Sequence, residues 1–220
     1  ECGEKLGGFV SQYESELCQC DLDADVIRTQ KAYARSKKPA FTVGAQGGKR
    51  GLLRPVRPDP YLPENPAAAD AYLDELFSMQ TASLAARLQN TGLSRMVVGV
   101  SGGLDSTLAL LVSAAAADAL DLPRENVVAV TMPGFGTSDR TYFNALSLIE
   151  HLGATGRDIS IKAAVLQHFE DIGHDPAKKN TTYENAQARE RAQILLDLAN
   201  AVGGLVVGTG DLSEEALGFC

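Results

Sequence analysis

MVVGVSGGLDSTLALLVS, residues Met96 to Ser113, runs a strand, a turn and a helix together with no spare residue between them. Met96, Val97, Val98 and Val100 form a short apolar run rich in β-branched side chains, the pattern of a strand buried on both faces. Ser101, Gly102 and Gly103 can make a turn too tight for larger residues. Asp105, Ser106 and Thr107 then open an apolar helix. A strand, a glycine-rich turn and a helix N-terminus together form an anion site, because backbone N–H groups converge there and the helix dipole favours negative charge. The group most often held in this way is phosphate.

The turn is not the Walker loop, which needs G-x-x-x-x-G-K-[ST] with its lysine on the outer phosphates. SGGLDS has no lysine and puts an aspartate at the helix start. A carboxylate beside phosphate repels it unless both bind one cation, so the turn implies pyrophosphate together with Mg²⁺. Glycines in such a turn can serve packing alone, and Gly102-Gly103 by itself leaves that alternative open. The whole S-G-G-x-D-S after an apolar strand is more specific. It resembles the pyrophosphate loop of the ATP pyrophosphatases, enzymes that adenylate a substrate and release pyrophosphate.

The totals are compatible with an enzyme domain plus an appendage. The chain has 220 residues, 45% apolar and 22% charged, with a net charge of −8. An acidic balance argues against a general nucleic-acid binder, though a local basic cleft can sit inside an acidic total. No apolar run approaches the roughly 20 residues of a membrane span. Glu1 is not an initiator methionine and no signal peptide follows it, so the chain is expected to be part of something longer. Cys18 and Cys20 are spaced C-x-C without a second ligand pair, which speaks against zinc. Reduced thiols in a cytoplasmic protein are the default expectation for the four cysteines. His151, His168 and His174 lie in separate segments and read as surface or helix-end residues.

Residues 1–38 differ in character from the rest: two candidate short strands (Leu6–Val10 and Leu17–Val26), then a basic helical stretch stopped by Pro39. This segment is too small for a core of its own. Residues 39–66 are first Gly-rich and then Pro-rich, the composition of a linker. From residue 67 onward the pattern alternates. A helix is expected over Ala67–Asn90 with an apolar stripe of Tyr72, Leu73, Leu76, Phe77, Met79, Leu84 and Leu88. The Met96 strand follows, then a helix from Asp105 to about Leu120, apolar almost all round and therefore buried. A second strand spans Asn126–Met132. After the turn Pro133–Ser138 comes a helix over Asp139–His151, ended by Gly153. Thr155–Ile161 reads as a third strand, Lys162–Asp171 as a short helix, and Leu205–Gly208 as a fourth strand. Between them a long helix runs to about Val202, capped by Thr181 or Thr182, with Glu184 in its first turn.

Strands alternating with helices predict right-handed βαβ units in a doubly wound parallel sheet of the α/β class. Ligands of such sheets bind beyond the C-terminal strand ends, at the switch point of strand order. The turns at 101–104, 133–138 and 208–211 all leave C-terminal strand ends and therefore face one crevice. There SGGLDS would hold pyrophosphate, Asp105 and Glu214 could share Mg²⁺, and Thr209 could bond phosphate or ribose. Along the helix TYENAQARERAQ, Asn185, Arg189 and Arg191 fall at spacings that can face an anionic substrate. The alternative for the two arginines is surface pairing with Glu184, Glu190 or Asp197.

Four blocks, VVGVSGGLDSTLALLV, MPGFGTSDRTYFNALSLIEHLGA, YENAQARERAQILLDLAN and LVVGTGDLSEEALGF, occur in the order found in the synthetase domain of glutamine-dependent NAD⁺ synthetases, and the chain resembles that family over about residues 67–220. The resemblance implies the adenine-nucleotide alpha-hydrolase-like (PP-loop) fold, with residues 1–38 as the tail of a nitrilase-like glutaminase domain. It also implies the chemistry: the pyridine carboxylate of deamido-NAD is adenylated by ATP, and ammonia drawn from glutamine displaces AMP. By the same resemblance Gly99, Val100, Ser101, Gly102, Gly103, Leu104, Asp105 and Ser106 form the ATP loop, with catalytic work at Asp105 and Ser106. Thr209 is a further ATP contact, Asp105 and Glu214 are Mg²⁺ ligands, and Asn185, Arg189 and Glu214 lie at the deamido-NAD site. The resemblance further implies a homo-oligomer. Glu214 and Glu215 are adjacent where the family usually has one glutamate and an apolar residue, so the metal ligand could be either. The chain also stops before the family's later lysine and substrate loops. A GMP-synthetase-like or tRNA-modifying ATP pyrophosphatase remains an alternative, as does a non-catalytic adenine-nucleotide-binding module. The YENAQAR and GTGDLSE blocks, the acidic balance and the intact loop count against these in turn.

Overall fold

The computed structural model describes Pro63 and residues 65–218. The strands and helix expected before residue 39, and nearly all of the linker, lie outside the described residues. The chain forms two compact units, Glu1–Glu75 and Leu76–Cys220, and the sheet belongs wholly to the second.

Four parallel strands, β1 (Met96–Gly99), β2 (Val127–Thr131), β3 (Thr155–Asp158) and β4 (Leu205–Val207), lie in the order β3-β2-β1-β4. The chain therefore winds outward from β1 to β3 and returns to the other side of β1. That reversal between β1 and β4 is the switch point beside which a doubly wound sheet opens a crevice. The helices are α1 (Pro66–Thr91), α2 (Leu104–Ala119), α3 (Asp139–Leu152), α4 (Lys162–Asp171), α5 (Thr181–Val202) and α6 (Leu212–Leu217).

Strand periodicity divides the core into two layers. Met96 and Val98 of β1, with Val100 just after it, pack with Leu88 of α1, Ala109 and Leu110 of α2 and Ile149 of α3. Val97, Val128 and Val130 face the other way, onto Val165 and Phe169 of α4 and Tyr183 and Ala199 of α5. Both faces of β1 and β2 are covered, which is why their sequences are continuously apolar rather than alternating.

Apart from α6, for which no helix was expected, the described strands and helices fall within a few residues of expectation, and the differences have physical causes. The cap of α5 is Asn180, not Thr181 or Thr182: its side chain accepts from the Tyr183 amide at 3.2 Å. The β3 strand stops at Asp158 because it is an edge strand, and buried Ile161 instead turns the chain into α4. α2 is not buried all round. Leu104, Leu108 and Leu111 are exposed, since the helix lies on the sheet by one face only and its alanines make up the packed side. The stripe expected on α1 is buried at Leu88 but exposed at Leu76 and Met79.

Candidate functional site

β1 hands over to the turn at Val100, whose amide still donates to Val130 O at 2.8 Å. Beyond it the serines tie the turn together. The buried Ser106 hydroxyl donates to Gly103 O at 3.2 Å and accepts from the Ser101 amide at 3.2 Å. Ser101 Oγ lies 3.1 Å from Ser106 Oγ and accepts from the Gly103 amide at 3.2 Å. Gly102 sits at φ +83°, and a Cβ there would lie 2.1 Å from Thr141 O, so the turn runs hard against the start of α3. Gly103 caps α2 without a side-chain hydrogen bond, and the backbone N–H groups of the first helical turn have no intrahelical acceptor. Asp105 stands exposed in that first turn. The turn is thus preorganised for a polyanion, with a carboxylate beside it.

The second wall is the segment after β2. Gly134 N donates to Thr137 Oγ1 at 2.9 Å, and Phe135 N donates to Gln187 Oε1 of α5 at 3.1 Å. Arg191 Nε donates to Met132 O at 3.2 Å. A Cβ on Gly134 would lie 2.7 Å from both Arg191 Nη2 and Gln187 Oε1, so a larger residue there would displace the ends of these two side chains. Half-burial pushes the Arg191 guanidinium below its ordinary pKa, and the charge of Glu184 pulls it back up.

The third wall follows β4. Asp211 caps α6, accepting from the Glu214 amide at 2.7 Å, while Glu214 Oε2 accepts from the Asp211 amide at 3.1 Å. This reciprocal box fixes the Glu214 carboxylate and commits one of its oxygens.

These three walls enclose a crevice of about 860 Å³. Of the expected residues, Gly99, Val100, Ser101, Gly103, Asp105 and Ser106 line it, and so do Thr209 and Glu214. Gly102 and Leu104 do not: Gly102 is turned against Thr141, and the Leu104 side chain is 87% exposed. Glu214 lines the crevice and Glu215 does not. Asn185 and Arg189 are exposed and are not brought to it. α5 instead turns Glu184, Gln187, Ala188, Arg191 and Leu195 inward. Those positions repeat at helical spacing, and Ala188 leaves room between the long polar side chains. That stripe was the signal available in the sequence, but it competes there with an equally plausible stripe through Asn185 and Arg189. Lys179, in the loop before α5, is the other cation at the crevice among the described residues. No group of three or more His, Cys, Asp or Glu side chains among the described residues could hold a metal alone. No described helix is long and apolar enough to cross a membrane.

A parallel sheet whose first strand delivers an S-G-G-x-D-S turn into the switch-point crevice defines an α/β protein of the PP-loop, ATP-pyrophosphatase class. Within that class the chain belongs to the NAD synthase family, whose model matches residues 76–220. The glutamine-dependent NAD(+) synthetase of Mycobacterium leprae is 42% identical over 176 residues, 78% of this chain and 26% of that protein. Among solved structures, the glutamine-dependent NAD+ synthetase of Acinetobacter baumannii in complex with ADP superposes with a TM-score of 0.62 at 29% identity. The match covers 68% of this chain and 28% of that one. The NMN synthetase of Francisella tularensis gives 0.57 at 26% identity, over 67% of this chain and 58% of that one. The chain spans about a quarter of the length of the curated relatives it matches (26% and 27% for two of them).

Proposed function

We propose that this chain carries the synthetase site of a glutamine-dependent NAD⁺ synthetase, a carbon–nitrogen ligase that converts deamido-NAD to NAD⁺. The observation that carries the reading is the convergence of the SGGLDS turn, Thr209 and Glu214 on one crevice in a chain of the NAD synthase family. In the first step a carboxylate oxygen of the nicotinate ring attacks the α-phosphorus of ATP. The O–P bond forms, the bond from that phosphorus to the β-phosphate bridge breaks, and pyrophosphate leaves. In the second step ammonia attacks the acyl carbon. The C–N bond forms, AMP departs with the former carboxylate oxygen, and one proton is released.

The chain's own residues contribute position and charge rather than acid–base chemistry. Ser101 and Ser106 hold the turn, the first turn of α2 offers its N–H groups to phosphate, and Thr209 bonds ATP from the end of β4. Asn185 and Arg189 remain assigned to deamido-NAD by family resemblance alone. Mg²⁺ fits this donor set, because a cation that arrives with phosphate oxygens and water needs only one or two protein carboxylates. Asp105 and the uncommitted oxygen of Glu214 would hold it, and when bound it would offset charge on the departing pyrophosphate.

Residues 1–38 are assigned to the end of a nitrilase-like glutaminase domain that releases ammonia, 39–66 to the linker, and 67–220 to the synthetase domain. Family resemblance supports a homo-oligomer, and the soluble substrates and thiol usage support the cytoplasm. Neither nucleic acid nor membrane is a partner in this reading. Asp105→Ala in the intact protein tests it. ATP-dependent amidation of deamido-NAD should fall by at least a thousandfold with circular dichroism unchanged, and near-normal activity would refute the role of Asp105.

A further inference from the structure

Among the described residues Arg191 is the half-buried cation of the crevice, and the reaction assigned to the crevice leaves it without a task. It forms no ion pair with any described residue. Its Nε is spent on Met132 O, while the terminal amino groups carry no protein hydrogen bond among the described residues. A guanidinium half removed from water, with only the unpaired charge of Glu184 nearby to offset the cost, gains from an anion at its free amino groups. Its location is set by two contacts. Four residues further along α5, Leu195 meets Gly99 so closely that a Cβ there would lie 3.0 Å from its Cδ1. Arg191 therefore stands one helical turn beyond the end of β1, and its Nε bond ties it to the end of β2. That is the gap between the SGGLDS turn and the Pro133–Thr137 segment. The turn itself has no lysine, and Asp105, Glu184 and Glu214 all add negative charge to the crevice. Polyphosphate entering it needs cations from elsewhere, and among the described residues the two that line it are Lys179 and Arg191.

We propose that Arg191 is a pyrophosphate-binding residue of this site: anchored through Nε to Met132 O, it presents its terminal amino groups to the phosphates that leave ATP as the α-phosphorus is attacked. This rests on the reading of the crevice as an ATP-pyrophosphatase site. A planar fork with one edge already fixed is preorganised for phosphate oxygens, and charge-assisted bonds of this kind are roughly twice as strong as neutral ones. Gln187 plays a supporting part. By accepting from Phe135 N it holds the same segment against α5, so that the Met132 carbonyl stays where Arg191 needs it.

The test is calorimetric binding of inorganic pyrophosphate and, separately, of AMP, each with Mg²⁺, to the intact protein and to Arg191→Met and Arg191→Lys. Arg191→Met should weaken pyrophosphate binding tenfold or more and leave AMP within twofold. Arg191→Lys, which keeps the charge and loses the fork, should fall between. Arg191→Met should also flatten the salt dependence of pyrophosphate binding, which loss of a purely structural tie would not do. Either variant, folded by circular dichroism, binding pyrophosphate like wild type would overturn the proposal. Equal weakening of pyrophosphate and AMP would also overturn it, leaving Arg191 as a loop anchor only. If the wild-type protein binds neither ATP nor pyrophosphate, the ATP-site reading itself falls, and that result is distinct from the other two.

Discussion

Replacing Gly102 by alanine should damage the protein far more than replacing Gly103, its neighbour in the same motif. Gly102 sits at φ +83°, where an L side chain costs about 1–2 kcal/mol, and its Cβ would come within 2.1 Å of Thr141 O. That oxygen is backbone at the start of α3 and cannot rotate away. The overlap must be relieved by shifting the turn or the helix, a further cost of roughly 1–3 kcal/mol. A total of about 3 kcal/mol is a reasonable centre for these two costs. Gly103 has φ −87° and ψ 172°, extended backbone open to any residue, and its Cβ would meet only Ser101 Oγ at 3.4 Å. Losing glycine at this cap should cost under about 1 kcal/mol. For the unit Leu76–Cys220, an unfolding entropy of about 2.1 cal/mol/K per residue amounts to roughly 0.3 kcal/mol per degree. Gly102→Ala should therefore lower the melting temperature by about 10 °C and Gly103→Ala by less than about 3 °C. Differential scanning calorimetry of the two variants side by side reads the contrast. Equal melting temperatures would refute the geometry given for the turn.

Other perturbations reach other parts of the molecule. Asn180→Ala removes the acceptor for the Tyr183 amide at the start of α5 and should cost about 1 kcal/mol, measurable by urea unfolding. Asn180→Asp should keep most of that stability. The Tyr142 phenol donates to Asp158 across α3 and β3, and this bond, with some burial, raises its pKa above the ordinary tyrosine value of 10.0. The neutral phenol is thus favoured in the folded state. The stabilisation is complete below the unfolded value and is lost as pH rises through the higher folded one. A difference titration at 295 nm between wild type and Tyr142→Phe should show the late-titrating tyrosine. Asp158→Asn should bring its pKa down.

Most of the fold could be read from local signals. The continuous apolar runs of β1 and β2 follow from burial on both faces, and the alternation of strand and helix left a parallel sheet as the economical solution. Gly153 and Gly203 end α3 and α5 in left-handed conformations, as glycines after a helix are expected to do. Edges were harder. Among the described residues β3 pairs on one side only, with β2, and no local pattern records where that pairing stops. The cap of α5 was missed because Asn180 and two threonines compete for one position, and the winner depends on where the loop enters. The carboxylates and serines of the crevice were legible because strand ends and turns fix their direction. The inward face of α5 was not. Asn185 with Arg189 and Gln187 with Arg191 share the same four-residue spacing, and the helix rotation that favours the second pair comes from Tyr183, Ala186 and Ala199 packing on the sheet. The reciprocal box of Asp211 and Glu214 was also unforeseen, although Asp-x-x-Glu is its sequence signature.

The central claim is that this crevice adenylates the carboxylate of deamido-NAD at the expense of ATP. Isotope exchange between pyrophosphate and ATP in the intact protein, with deamido-NAD, XMP or no acceptor and with ammonia withheld, tests it most directly. Exchange should appear with deamido-NAD and stay at background with XMP or alone. Exchange stimulated by XMP and not by deamido-NAD would contradict the account.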